Sequence, residues 1–177
     1  MENLKLKKYS LPMRIAHNFS AILFIITLVM GIMLEKNLIS KEYFFVHKSF
    51  GISVFFLVLI RIFIKFNTEN KPQIYSTKKI EEIAARITHF GLYFCLVSMP
   101  LSGFLMSSFF AGKDGSVNFF NLFKIPFFLE KNKELASFFN SSHEIITYIS
   151  LFFIFLHLAG SFKHLIFEKV NIFKKMI

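Results

Sequence analysis

The sequence predicts an all-α integral membrane protein, a bundle of four spanning helices with both termini in the cytoplasm. Three observations predict it. Hydrophobic residues make up 54% of the 177 residues and charged ones only 18%, against about 25% charged in a soluble domain. Four runs are apolar enough, and about the 20 residues long, to cross about 30 Å of hydrocarbon as helices. The Lys and Arg residues gather on the segments that face one side of such a bundle. The length suits a single domain. With 27 Phe and no Trp, the apolar content is bulky, which excludes intrinsic disorder, a nucleic-acid module and a disulfide scaffold. Cys95 is the only cysteine and there is no C-x-x-C-H for covalent haem attachment.

The first span centres on Ile15–Leu34, which contains no Lys, Arg, Asp or Glu. Lys5, Lys7, Lys8 and Arg14 precede it as they would a signal peptide. The apolar run exceeds a typical signal core and no A-x-A-like site follows, so it is read as a permanent helix. The second span, Phe44–Ile64, takes in only Lys48 and Arg61. The third, Ile87–Gly112, is the longest uncharged run, with Pro100 expected to kink it. The fourth is Ile145–Phe162, entered through His143 and Glu144. None alternates apolar with polar residues, so helices are favoured over barrel strands. The expected helices cover about residues 14–34, 44–65, 87–110 and 142–167, all in one membrane domain over 1–177. An external loop covers about 111–140, and its Phe-rich part, Phe119–Leu129, is too short to span and is expected along the interface.

Charge sets the orientation. The N-terminal tail, the second-to-third loop with its flanks and the C-terminal tail hold 14 of the 21 Lys and Arg. The first-to-second loop and the long loop hold 7. Basic loops stay cytoplasmic. The net charge of +10 is therefore mainly a topology signal rather than one for nucleic acid.

Ionisable residues inside a bilayer mark functional sites by default, and here they are histidines. His17 and His89 lie near the inner starts of helices 1 and 3, and His47 near the outer start of helix 2. His143 lies at the outer end of helix 4 and His157 well down its length. The fourteen residues from His143 to His157 come to about 1,400°, within roughly 40° of whole turns, and to about 21 Å of rise. Both rings thus leave one face at two depths. Depth matches His47 with His143 outside and His17 with His157 inside. Two imidazoles from different helices are what a six-coordinate haem requires, and iron binding removes the cost of a charge in lipid. Zinc fits less well, lacking H-E-x-x-H or a thiolate partner. A lone histidine near a span end is more often an interfacial polar residue, which suits His164 beside Lys163. His89 is open to three readings: a helix hydrogen bond, a haem carboxylate or a quinone. Arg61 either snorkels to the interface or pairs with a haem propionate. Arg14 and Lys48 are further propionate candidates.

These residues stand in a familiar order: Arg14-Ile15-Ala16-His17-Asn18, then Val46-His47-Lys48-Ser49-Phe50-Gly51 with Arg61. His89-Phe90-Gly91-Leu92-Tyr93 with Pro100 and Gly103 comes next, and Ser142-His143-Glu144 with Leu156-His157-Leu158-Ala159 completes the set. The chain resembles the bacterial cytochrome b561 family, small four-helix di-haem proteins of the inner membrane. The resemblance implies two haems b on His17, His47, His143 and His157, and electron exchange with the ubiquinone pool. It also implies, for some relatives, oxidation of superoxide at the periplasmic face, which makes a superoxide:ubiquinone oxidoreductase the most specific expectation for this chain. Lys36, Lys41, Lys48, Lys113, Lys124, Lys131 and Lys133 offer that anion a modest attraction. Asn18 and Ser142 stand where the family often has an aromatic residue and a Trp. Competing classes are a haem-bearing anchor of a larger dehydrogenase and a haem-free membrane transporter or interaction protein.

Overall fold

A computed structural model describes residues 8–68 and 78–176. Lys5, Lys7 and Lys71, which enter the charge count, lie outside the described residues. Four helices dominate: α1 (Leu11–Glu35), α2 (Phe44–Asn67), α3 (Lys79–Ala111) and α4 (Lys133–Ile166). All four are long and apolar enough to cross a membrane. Pro12 opens α1, where its missing N–H costs nothing. A single turn, Lys41–Tyr43, leads into α2 and is capped by Ser40, whose hydroxyl accepts the Glu42 N–H. Asn132 caps α4 in the same way, accepting the Leu135 N–H.

α3 and α4 begin well before their apolar runs, at Lys79 and Lys133 rather than near 87 and 142. Hydropathy marks only the part of a helix that sits in hydrocarbon, and these two project beyond it. At 33 and 34 residues they are each about 50 Å long, against a core of about 30 Å. α3 runs unbroken through Pro100.

The external segment is therefore shorter than expected, and its Phe-rich part lies in a hairpin. Ser116–Phe119 (β1) pairs antiparallel with Phe123–Pro126 (β2). Phe120 and Asn121 turn the chain in left-handed conformations, φ 47° and 59°. The hairpin docks on α2 through Ser49, which accepts the Phe120 N–H at 3.0 Å and donates to Phe45 O and Asn118 O. Val117 and Phe127 are buried against the helices.

α1 packs on α2, α2 on α3 and α3 on α4, while α4 stands back from α1 and α2. Phe24, Leu28, Val54, Val58, Leu96 and Met99 form the core at mid-depth. Small buried residues let the helices approach, with Ser20, Ser49, Cys95, Ser108 and Ser150 fully inside. Most of these hydroxyls are satisfied by carbonyls of the preceding turn. Large side chains such as Phe19, Phe63, Phe90 and Phe155 point outward, as lipid requires.

Candidate functional site

The histidines fall into two tiers, one near the hairpin and one near the termini. On the hairpin side His47 of α2 faces His143 of α4, with ring centres 6.3 Å apart and planes at 86°. A metal–imidazole bond of about 2 Å on each side, plus about 1 Å from nitrogen to ring centre, gives about 6 Å. The ring-centre distance matches that of two imidazoles on one metal ion.

Both rings are aimed by main-chain acceptors. The His47 Nδ1–H donates to Thr27 O at 3.1 Å, and the His143 Nδ1–H to Met99 O at 3.0 Å. A proton fixed on Nδ1 leaves Nε2 with its lone pair free for a metal. Ser102 adds to the second case: its hydroxyl donates to Met99 O at 2.9 Å and its oxygen lies 3.1 Å from His143 Nδ1. A helix carbonyl is normally screened by the side chain one turn on. Here that residue is glycine in both helices, Gly31 after Thr27 and Gly103 after Met99. A Cβ at Gly31 would stand 2.9 Å from His47 Cε1, and one at Gly103 would stand 3.1 Å from His143 Cε1. Ser102 and this carbonyl–glycine spacing were missed from sequence; the spacing, repeated on two helices, is the signal that could have found them.

The terminus-side tier holds three histidines. His157 lies in ring contact with His89, centres 5.3 Å apart, and within electrostatic reach of His17. His17 hydrogen-bonds Asn18 Oδ1 at 3.2 Å. Arg61 is buried here rather than snorkelling, with 8% of its surface exposed. Its Nη1 donates to Ser20 Oγ at 3.1 Å, which itself donates to His17 O, and its guanidinium lies 5.1 Å from the Tyr93 ring centre. Among the described residues no carboxylate pairs with it. The Nε atoms of Arg61 and Arg14 are both buried without a partner. A buried guanidinium, Arg61, and a half-buried one, Arg14, each with an open Nε donor, form a ready seat for carboxylates. Lys48, half-buried beside His47, is the matching cation on the hairpin side.

Tyr9, just before α1, closes this end of the bundle. Burial, reinforced by Tyr93 and opposed by Arg61, pushes its phenol up to about 12. Glu81, His164 and Glu168 could together offer ligands to a metal. Lys163 already pairs with both carboxylates and His164 with Glu168, so the group is a clasp between α3 and the end of α4. The hydrogen bond from His164 holds the Glu168 carboxyl below its usual range.

The family model described as prokaryotic cytochrome b561 matches residues 8–177, nearly the whole chain.

Proposed function

The chain belongs to the prokaryotic cytochrome b561 family, and from that premise we propose a di-haem protein that exchanges electrons with ubiquinone across the bacterial inner membrane. The family itself makes this a multi-pass membrane protein that binds haem b and transfers electrons. The di-haem reading assigns one haem to His47 and His143 and a second to His17 and His157. The observation that carries it is the hairpin-side pair, two imidazoles at metal-spanning distance, each locked by Nδ1 to a helix carbonyl. The open Nε atoms of Arg14 and Arg61 support propionate seats on the terminus side, with Lys48 serving the other haem. Bound haem supplies reversible one-electron chemistry at iron. The chain's own residues fix the Nδ1 protons of His47 and His143, keep the Phe24–Leu28–Val54–Val58 layer between the tiers dry, and set the two tiers about 21 Å apart along α4.

The charge count supports termini, and so an Arg61 side, in the cytoplasm. The hairpin side is then periplasmic, and superoxide is the substrate proposed there. Two superoxide anions each give up one electron and leave as O2, while one ubiquinone takes both electrons and two protons to become quinol. His89, against His157, is the proposed quinone or propionate contact. Lys36 pairs with Glu35 and Lys113 with Glu130, which leaves Lys41, Lys124, Lys131 and Lys133 to attract the anion.

A pyridine haemochrome assay on purified protein is expected to give two haems b per chain, and a ratio of one overturns the assignment. Pulse-radiolysis reduction by superoxide near the diffusion limit, slowed by salt and followed by reoxidation with ubiquinone, is the result expected for the substrate. Reduction by quinol alone refutes superoxide.

A further inference from the structure

The hairpin-side imidazoles are aimed by helix carbonyls, but His17 is aimed by a side chain. From this we infer that Asn18 is a positioning residue that sets the ligand strength of His17 and couples it to the segment after α4. The inference rests on the ligand assignment proposed above.

The chain of reasoning starts at Met176. Its carbonyl can only accept, so the Asn18 group 3.1 Å away must be the amide Nδ2, donating. That fixes the orientation of the amide, and Oδ1 is then the atom 3.2 Å from His17 Nδ1. An amide oxygen also only accepts, so the proton sits on His17 Nδ1 and the lone pair on Nε2. One main-chain carbonyl therefore determines the tautomer of an imidazole 159 positions earlier.

The acceptors of the other tier, Thr27 O and Met99 O, are built into α1 and α3 and cannot move separately from them. Met176 lies instead in a short segment, with one turn of helix at Ile172–Lys175, folded back under the bundle. The segment is held by the Tyr9 N–H donating to Lys175 O at 3.2 Å and by Phe173 against Phe162, ring centres 5.6 Å apart. Displacing it frees the Asn18 amide to rotate, which weakens the hold on His17 and leaves His47 and His143 untouched. The terminus-side centre is thus the one whose potential answers to events at the cytoplasmic surface.

Spectroelectrochemical titration of the purified holoprotein, with electron paramagnetic resonance of each ferric centre, tests this. An acceptor on Nδ1–H makes the imidazole a stronger donor and favours ferric iron. Asn18→Leu removes the acceptor and is expected to shift the terminus-side ratio of reduced to oxidised haem about tenfold toward reduced. For one electron that is a rise of about 59 mV. Asn18→Asp supplies a charged acceptor and is expected to move the same centre the opposite way, with its resonance shifted. The His47–His143 centre is expected to stay at the wild-type potential in both. If Asn18→Leu loses that haem, Asn18→Ser, which keeps a short acceptor, is expected to restore it with an intermediate potential; no rescue overturns the inference. Two haems per wild-type chain with potentials that the variants leave unmoved, move in one direction or move equally overturn it while sparing the ligand assignment. A wild type with one haem overturns both.

Discussion

Replacing Gly31 or Gly103 by alanine sets two effects of opposite sign against each other. Helix propensity alone favours alanine inside a helix by about 0.5–1 kcal/mol, so a residue chosen only for backbone reasons gives a stabilised protein. The geometry predicts a loss. The added Cβ stands 2.9 Å from His47 Cε1 at Gly31 and 3.1 Å from His143 Cε1 at Gly103. Ordinary carbon–carbon contact is about 3.5–4.0 Å, so the ring must retreat by about 0.5 Å or more. The His47 Nδ1 to Thr27 O distance of 3.1 Å then stretches to about 3.6 Å, beyond a hydrogen bond. Overpacking costs about 1–3 kcal/mol, and an orphaned buried donor about 1–3 kcal/mol more. The loss wins. Removing such a supporting hydrogen bond typically costs about 10–100-fold in metal affinity. Haem content per chain at limiting haem, with the reduction potential of the His47–His143 centre, is the assay. Gly31→Ala is expected to lose more than Gly103→Ala, following the closer contact. Full haem content and unmoved potentials in both variants would refute the reasoning.

Three further outcomes follow from other contacts. Arg61→Gln removes a buried cation and is expected to cost about 3–5 kcal/mol of carboxylate binding, seen as selective loss of the terminus-side haem; two tightly held haems in this variant contradict the propionate seat. Ser49→Ala strips the Phe120 N–H of its acceptor and is expected to loosen residues 116–126 by about 1–3 kcal/mol, aided by the left-handed strain at Phe120. Hydrogen exchange should accelerate there and not in the helices; unchanged exchange in the hairpin counts against the latch. The Tyr9 phenol is raised from 10.0 to about 12 in the folded protein, so the native state favours its neutral form. The stability this gives is intact below pH 10 and lost as pH rises from 10 toward 12. Absorbance titration at the phenolate band, differenced against Tyr9→Phe, checks it, and a midpoint near 10 contradicts it.

What can be read from this sequence is what depends on position along a helix. Rise per residue is constant, so the depths of His17, His47, His143 and His157 follow from numbering once the apolar runs are found. Position around the bundle is not encoded that way. Asn18 acts through Met176, far away in the chain, and no local pattern announces it; Ser102 acts through the Met99 carbonyl that His143 also uses. The hairpin is hidden for a different reason. Its turn places Phe120 at φ 47°, where turn chemistry leads one to expect Gly or Asn, and the strain is held by a contact to α2 rather than by the loop's own residues.

His89 shows where the two kinds of information must be joined. By depth it is as good a partner for His157 as His17 is. The packing order separates them, because α3 lies directly against α4 while α4 stands back from α1. The 5.3 Å between the His89 and His157 ring centres is shorter than the about 6 Å that two metal bonds need and that the His47–His143 pair provides. Helices in close contact also leave no room for a macrocycle between their imidazoles. Distance and packing therefore make His89 a neighbour beside His157, able to meet a ligand at the edge of the tier. Both support the proposed pairing of His157 with His17, on the helix that α4 does not touch closely.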